Sequence, residues 1–133
     1  MTSDELSVLR ANDAFYDAFA ARDAGLMEEA WARERPVTCI HPGWPLLDGR
    51  AAVMESWRAI LGAEAIHIEC SAARVYLAGD TAYVVCSEGL PSEPPRLVAT
   101  NIFGREAGSW KLVHHHAGHV PPRRPVSPSG PTN

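Results

Sequence analysis

Residues 96–119, RLVATNIFGREAGSWKLVHHHAGH, decide the fold that we predict for this chain. β-branched, aromatic and leucine residues recur in two runs, over residues 96–106 and 109–119, and such runs favour strands. The short Ala107-Gly108 connection between them is typical of a hairpin turn. The stretch therefore predicts two antiparallel strands at the end of the folded part of the chain.

The same pattern occurs upstream, where residues 65–77 and 81–90 flank Ala78-Gly79-Asp80. Four consecutive strands joined by tight turns predict an antiparallel meander. The segment before it shows helical spacing and capping residues. The elements predicted there are, in order, a helix over 3–22 capped by Thr2 and Glu5, a short helix after Asp23 that stops at Pro36, a strand over 37–41, a stub at Leu46-Leu47 and a helix over 50–61. Helices grouped before a long antiparallel sheet predict an α+β domain whose helices cover one sheet face.

Length and composition indicate one globular domain. The chain has 133 residues, of which 46% are hydrophobic and 21% charged, and a core of that size needs no disulfides. No apolar run approaches the roughly 20 residues that cross a bilayer, and the acidic start of the chain lacks the features of a signal peptide. We expect a soluble, cytoplasmic domain over residues 1–119 and a disordered tail over 120–133, where five of the 11 prolines lie.

The net charge limits the partners that we expect, and the cysteine spacing indicates the state of the thiols. The formal net charge is −4 and the arginines are interspersed with glutamates, so we expect neither nucleic acid nor a membrane as a partner. Cys39, Cys70 and Cys86 lie in apolar runs without a CxxC spacing, which is typical of reduced, buried cysteines. Only Lys111 among the 12 basic residues is a lysine, a bias that we attribute to a GC-rich bacterial genome.

The alternation of side chains along the last strand gives the most informative prediction about function. Successive residues of a strand point to opposite faces, so Trp110, Leu112, His114 and His116 share one face. If Trp110 and Leu112 face the helices, the two histidines point into the same interior. We therefore expect both imidazoles to lie in a dry cavity.

Neighbouring strands bring further polar groups to this interior. By the same alternation, His41, Glu88 and Asn101 each stand at the end of an apolar series. Apolar walls with a few convergent polar groups are typical of a small-molecule pocket. The aromatic residues that we predict to bind the ligand are Phe15, Tyr16, Phe19, Trp31, Trp44, Trp57 and Phe103.

Two kinds of chemistry suit these polar groups. Neutral imidazoles and a desolvated carboxyl group can exchange protons with a bound substrate, which requires no cofactor. Alternatively, His114 and His116 could bind a catalytic metal with His41 or Glu88 as the third ligand. No motif fixes a third ligand, and no nucleotide or hydrolase signature is present. We therefore predict neither a metal nor another cofactor.

Several segments carry a family resemblance. They are Asn12–Tyr16 with Phe19 and Trp31, the turn Cys39–Trp44, Asp48-Gly49-Arg50 with Trp57, Ala99–Phe103 and Gly108–His116. Over about residues 4–119, these segments resemble the SnoaL-like branch of the nuclear transport factor 2-like superfamily. The resemblance implies a cone-shaped barrel, in which a curved, mainly antiparallel sheet wraps around the N-terminal helices and leaves a pocket at its wide end.

The resemblance also implies a homodimer, which commonly forms through the outer face of the sheet. The apolar residues Val98, Ile102 and Val113 alternate with the predicted lining and fit such an interface. Members of the superfamily include isomerases, cyclases and dehydratases, and also domains without a known reaction, so the fold alone leaves the function open. This chain offers no assured aspartate on the predicted pocket face, so histidine and glutamate take its place in our prediction.

These observations predict a domain that binds a small molecule in an apolar pocket. In an isomerase, cyclase or dehydratase of this kind, His116 or His114 would be the general base and Asn101 would donate a hydrogen bond to a developing oxyanion. His41 or Glu88 would return the proton. The alternative is a non-catalytic ligand-binding or dimeric interaction module whose histidines are structural.

Overall fold

The structure is a computed structural model that describes residues 1–63 and 67–121. The predicted tail from residue 122 onward and residues 65–66, where we predict a strand to begin, lie outside the described residues. The elements in chain order are α1 (Ser3–Ala21), α2 (Ala24–Ala30), β1 (Thr38–Ile40), β2 (Leu47–Asp48), α3 (Arg50–Gly62), β3 (Glu69–Ala78), β4 (Thr81–Gly89), β5 (Leu97–Glu106) and β6 (Ser109–His119). Their types and order confirm the prediction.

The first two helices begin at the predicted capping residues. The Thr2 hydroxyl accepts a hydrogen bond from the Glu5 amide at 3.1 Å, and the Glu5 carboxylate accepts one from the Thr2 amide at 2.8 Å. This pair is the predicted capping box. The Asp23 carboxylate accepts a hydrogen bond from the Leu26 amide at 3.0 Å and starts α2. α2 is short because the next residue, Trp31, is already extended and bridges to the sheet.

Six strands form one mixed sheet in the order β2-β1-β6-β5-β4-β3. The long strands β3 to β6 pair antiparallel in sequence, which confirms the predicted meander. β1 joins β6 in parallel, and β2 pairs with β1. β2 and β3 are therefore the edges of the described sheet, which stays open instead of closing into a barrel. Three helices packed on this sheet make the domain α+β, as predicted.

The core lies between the helices and the inner face of the sheet. α1 packs against β3, β4 and β6, and α2 packs against both other helices. The largest fully buried side chains are those of Phe15, Met27, Trp31, Trp57, Phe103 and Leu112. The predicted alternation is confirmed along β4 for Ala82, Val84, Cys86 and Glu88, and along β5 for Ala99, Asn101 and Phe103. The described helices are each too short or too polar to cross a membrane.

A bulge in β6 interrupts the regular pairing with β5. Phe103 pairs with Leu112, whereas the adjacent Ile102 pairs with His114. Val113 is therefore an extra residue in β6, opposite no partner of its own. Successive side chains of a strand point to opposite faces of the sheet. One extra residue therefore turns every later side chain of β6 to the face opposite the one that regular alternation predicts.

The bulge makes the predicted orientation of His114 and His116 wrong. The ring of His114 is half-buried on the outer side of the sheet, where its Nδ1 lies 2.7 Å from Oγ1 of Thr38. His116 is exposed. Instead, His115 is buried on the inner side, and Ala117 follows it on the same face. Alternation holds on either side of the extra residue but not across it.

Candidate functional site

A cavity of about 420 Å³ lies between the end of α1, the end of α3 and the inner face of the sheet. Its volume falls in the range of pockets that hold a small organic molecule. The walls are mostly apolar, and the apolar residues that line them include Phe19, Trp44, Trp57, Ile60, Leu61 and Leu97. This lining favours a ligand with an apolar body.

Three buried polar residues also line the cavity. They are His41, Glu88 and His115, each with at most 3% of its surface exposed. They come from the end of β1, from β4 and from β6. A cavity of this kind can therefore offer a ligand two imidazoles and one carboxyl group away from bulk water.

The structure brings only some of the predicted site residues to this cavity. His41 and Glu88 line it, as do the aromatic residues Phe19, Trp44 and Trp57. The predicted ligand-binding residues Phe15, Tyr16, Trp31 and Phe103 lie in the buried core instead, because neighbouring core groups cover their side chains. His114 and His116 lie on the other face of the sheet, since the bulge at Val113 turns them outward.

His115 is held by a hydrogen bond and by aromatic rings. Its Nδ1 lies 2.5 Å from Oδ1 of Asn101. Its ring centroid is 5.0 Å from that of Phe15 and 5.9 Å from that of Trp57. Burial, together with the nearby imidazole of His41, lowers the pKa of His115 to about 3. The ring is therefore neutral at neutral pH and keeps one bare nitrogen, and an imidazolium formed there would release its proton readily.

His41 is oriented by a serine of α3. Its Nε2 lies 2.8 Å from the Ser56 hydroxyl, which donates its single hydrogen to the Val53 carbonyl at 2.7 Å. The serine oxygen must therefore accept from His41, so Nε2 carries the hydrogen and Nδ1 is bare. The ring packs edge-on against Trp57 and Trp44, at centroid distances of 4.7 and 4.9 Å. Burial lowers the pKa of His41 to about 4.

Glu88 is a buried carboxyl group with one strong donor. The Tyr16 hydroxyl donates a hydrogen bond to its Oε2 at 2.5 Å. Burial raises the pKa of Glu88, and the hydrogen bond from Tyr16 offsets part of that rise. Within the described residues, Oε1 of Glu88 has no hydrogen-bond partner. The neutral form, in which the carboxyl group can donate a proton, is thus more accessible to Glu88 than to an exposed glutamate.

Asn101 does not lie where its predicted role requires. Its Oδ1 faces Nδ1 of His115, and its Nδ2 donates to Oδ1 of Asn12 at 2.9 Å and to the Tyr16 hydroxyl at 3.1 Å. The side chain is fully buried. All its polar groups are engaged inside the protein, so it has no N–H left to donate to an oxyanion.

Two basic side chains at the exposed edge of the cavity were not predicted. Arg22, which ends α1 in the left-handed conformation with φ 55°, donates from Nε to the Leu61 carbonyl at 2.9 Å and from a terminal nitrogen to the Ala63 carbonyl at 2.5 Å. It thereby holds the end of α3 over the cavity. His119 lies at the same edge.

Sequence reasoning also missed His115 and its supports. Ala117 is the one sequence signal for the inner position of His115, because an apolar residue that follows Trp110 and Leu112 at an odd spacing is incompatible with strict alternation. Asn12 and Ser56 carry a signal for their facing, because Asn12 has helical spacing to Val8 and Phe15 and Ser56 has helical spacing to Val53 and Ile60. That spacing does not reveal their partners, which only the packing of α1 and α3 brings to them.

The alternative of a metal site gains no support from the geometry. His114 and His116 lie outside the cavity, with ring centroids 6.2 Å apart. In residues 1–63 and 67–121, no three His, Cys, Asp or Glu side chains come close enough together to hold a metal ion.

The geometry and topology define a class of protein. In residues 1–63 and 67–121, three helices pack on a six-stranded mixed sheet with a pocket between the two, and this arrangement matches the nuclear transport factor 2-like fold. The sequence profile of the SnoaL-like domain matches residues 8–121. The chain belongs to the SnoaL-like domain family.

The chain is similar to three proteins of known sequence or structure. A candidate dehydratase of the nuclear transport factor 2-like family from Streptomyces avermitilis is 34% identical, with a TM-score of 0.78 over 89% of this chain and 96% of that one. A candidate calcium/calmodulin-dependent protein kinase type II association domain from Thiobacillus denitrificans is 38% identical, with a TM-score of 0.73 over 84% and 93%. The F-box protein SKIP8 of Arabidopsis thaliana is 26% identical over 112 residues, 84% of this chain. The chain spans about half of that curated relative, 48% of its length.

Proposed function

We propose that this domain binds a small, largely apolar carbonyl compound and transfers protons on it without a cofactor, as an isomerase, cyclase or dehydratase. One observation carries the proposal. Two neutral imidazoles and a buried carboxyl group, those of His41, His115 and Glu88, line the same apolar cavity. Buried proton donors and acceptors at one cavity are the groups that acid–base catalysis requires.

His115 is the proposed base. It stands in the place that the sequence argument gave to His114 or His116, because the bulge turns it inward. A neutral imidazole can remove a proton from the carbon next to a carbonyl group. Since the carbonyl oxygen then gains negative charge, a proton donor must lie near it.

Glu88 is the proposed donor to that oxygen. Its burial favours the neutral carboxylic acid, and a neutral acid can donate a hydrogen bond without bringing a second negative charge near the oxyanion. In an isomerisation, His115 takes the proton from one carbon, the electron pair shifts toward the oxygen, and the imidazolium returns the proton to another carbon. The enzyme then ends in its starting state.

Dehydration differs only after the first step. Once His115 has taken the proton, the electron pair forms a carbon–carbon double bond and a β-hydroxyl group leaves with the proton of Glu88 as water. The imidazolium returns its proton to the Glu88 carboxylate through that water. The relative from Streptomyces avermitilis, 34% identical over 89% of this chain and named as a candidate dehydratase, supports this branch.

Hydrogen exchange with D2O measures the first step, the removal of a proton next to the carbonyl group, directly. Purified protein is incubated in D2O with a panel of small β-hydroxy ketones and β,γ-unsaturated ketones, and NMR records the loss of hydrogen next to the carbonyl group. We expect exchange with the native protein. His115→Gln and Glu88→Gln should lower it at least about 100-fold, the smaller end of general acid–base contributions.

His116→Gln is the matched comparison, because it makes the same change one residue away on the outer face. We expect this variant to exchange at the native rate. Exchange lost in His116→Gln but kept in His115→Gln would refute the assignment of the base. Native protein that exchanges nothing while it binds members of the panel unchanged would refute the enzymatic proposal.

A second candidate is a module that assembles through its outer sheet face. Tyr76 and Tyr83 pair across β3 and β4 with their rings stacked at 4.9 Å, and Val98 of β5 is 51% exposed. Exposed apolar groups on one face favour an interface. The relative from Thiobacillus denitrificans, 38% identical and named as a candidate association domain, supports assembly.

Sedimentation equilibrium tests this second candidate. We expect native protein to sediment as a homodimer and Val98→Glu to sediment as a monomer, because a charge buried without a partner opposes association. A native protein that is monomeric at all concentrations would refute the proposed homodimer. Assembly without any proton exchange would favour the module over the enzyme.

A further inference from the structure

A chain of hydrogen bonds connects the two ends of the proposed acid–base site. It runs from His115 to Asn101, from Asn101 to Tyr16 and from Tyr16 to Glu88. The two central side chains are buried, whereas the two outer residues line the cavity. The base and the acid are thus joined behind the cavity wall by groups that a ligand does not touch.

Donor and acceptor chemistry gives the chain one direction. Oδ1 of Asn101 can only accept, so Nδ1 of His115 must carry a hydrogen. The Tyr16 oxygen receives Nδ2–H of Asn101, and its own single hydrogen goes to Oε2 of Glu88. Each of the three bonds therefore has its donor on the His115 side.

Asn12 sets this direction at the centre. Its Oδ1 accepts the other hydrogen of the Asn101 amide group at 2.9 Å, and its own Nδ2 faces Sγ of Cys70 at 3.6 Å. If the Asn101 amide were turned over while Asn12 keeps its Nδ2 toward Cys70, two carbonyl oxygens would meet at the Asn12 contact. That contact is repulsive, so Asn12 keeps the acceptor of Asn101 toward the imidazole.

We infer that Asn101, held by Asn12, and Tyr16 are positioning residues that decide which atom of the base is bare and which atom of the acid is protonated. With Nδ1 of His115 protonated, the lone pair of the neutral ring is on Nε2. With Oε2 of Glu88 accepting from Tyr16, Oε1 is the atom left to carry the proton whenever the carboxyl group is neutral. This inference rests on the proposed function for its catalytic meaning, but the tautomer itself is a property of the protein without ligand.

The experiment is long-range hydrogen–nitrogen correlation NMR of the ¹⁵N-labelled protein, in which protonated and bare imidazole nitrogens have distinct shifts. His115→Gln assigns the signals by their loss. We expect native His115 as the Nδ1–H tautomer and His41 as the Nε2–H tautomer, because their partners differ. A native His115 with hydrogen on Nε2, or with both tautomers populated, would overturn the inference.

Two variants separate positioning from mere packing. Asn101→Leu removes the acceptor and should leave His115 a mixture of tautomers, while Asn101→Asp keeps an acceptor and should restore the Nδ1–H form. Ser56→Ala is the matched control, since it removes the partner of the other imidazole: His41 should change and His115 should not. If Asn101→Leu does not fold, the tautomers of His115 in the native protein and in Asn101→Asp still test the inference.

Turnover is a separate readout. In the D2O exchange assay, Asn101→Leu should lower the maximal rate in proportion to the fraction of His115 that leaves the Nδ1–H form, with little change in the half-saturating concentration, since the loss falls on the base and not on ligand contacts. An unchanged maximal rate would overturn the positioning role. The expected tautomer in a protein that exchanges no substrate would refute the proposed function and leave the hydrogen-bond chain as a structural feature.

Discussion

Tyr16 and Glu88, which lie on α1 and β4, share a hydrogen bond in which the tyrosine hydroxyl donates to Oε2 across 2.5 Å. Because this bond favours the ionised carboxylate, it holds the pKa of Glu88 below the value that burial alone would give. Tyr16→Phe should therefore raise the pKa of Glu88, measured by ¹³C NMR titration of the side-chain carboxyl group. The same Glu88 pKa in Tyr16→Phe and in the native protein would contradict this prediction.

The same substitution should also destabilise the fold. It leaves an N–H of Asn101 and the Glu88 carboxyl group without their buried partner, which costs about 1–3 kcal/mol. Denaturant unfolding of Tyr16→Phe measures the loss in the free energy of unfolding. Tyr83→Phe removes the same hydroxyl from an exposed side chain and should change the free energy by less than about 0.5 kcal/mol.

Acid should destabilise the fold through the two buried imidazoles. Burial lowers the pKa of His115 to about 3 and that of His41 to about 4. Below about pH 6.5, the unfolded chain takes up protons that the folded chain does not, so stability falls as the pH falls toward those values, by up to about 1.4 kcal/mol per pH unit for each ring. Glu88 acts in the opposite sense, because its raised pKa means that the folded state loses stability as the pH rises past 4.5.

His115→Gln isolates one of these contributions. Its free energy of unfolding should vary less steeply between about pH 6 and pH 4 than that of the native protein, because one titrating group is gone. The difference at pH 8, where the imidazole is neutral in both states, gives the baseline cost of the substitution. Parallel curves for the two proteins would show that His115 takes up a proton in the folded state.

The bulge predicts a pattern of chemical labelling. Diethyl pyrocarbonate, which modifies accessible neutral imidazoles, should label His116 rapidly and spare His115, although the two are neighbours in sequence. His116 is exposed and His115 is 2% exposed. Mass spectrometry of the digested protein reads the order. Rapid labelling of His115 ahead of His116 would place the bulge elsewhere.

Filling the cavity should weaken binding of an apolar ligand. Leu97 lines the cavity between Glu88 and His119, its partners on the flanking strands. Leu97→Trp should weaken binding of the fluorescent probe anilinonaphthalene sulfonate at least tenfold, about 1.4 kcal/mol. Leu46→Trp adds the same ring at a 58% exposed position outside the lining and serves as control. Equal weakening in both variants would show that the probe binds elsewhere.

Much of the fold could be predicted because local chemistry decides it. Thr2, Glu5 and Asp23 mark helix starts through short hydrogen bonds that any helix needs. Tight turns at Gly79 and Gly108, both with positive φ, separate the strands. Alternation along β4 and β5 follows from regular pairing, and so the inner positions of Glu88 and Asn101 were predicted correctly.

The site could be predicted less well because it depends on relations between elements. Val113 is a β-branched residue of the kind that ordinary strands favour. As the single extra residue of β6, it turns the later side chains of the strand to the opposite face. Along the sequence, only the odd spacing of Ala117 from Leu112 indicates this extra residue. The roles of Asn12 and Ser56 depend on how α1 and α3 are rotated against the sheet, which is set by packing. Catalytic assignments that rest on one strand's alternation are therefore sensitive to a single pairing irregularity.

Three identical side chains in succession, His114 to His116, make the interior tolerant of such irregularity. In a strand without the extra residue, the first and third imidazoles would enter the chamber, and in the observed strand the middle one does. The first inward position after Leu112 is thus an imidazole with or without the extra residue, whereas the second changes between Ala117 and His116. Mutations that create or remove the irregularity can accumulate without costing the chamber its proton acceptor.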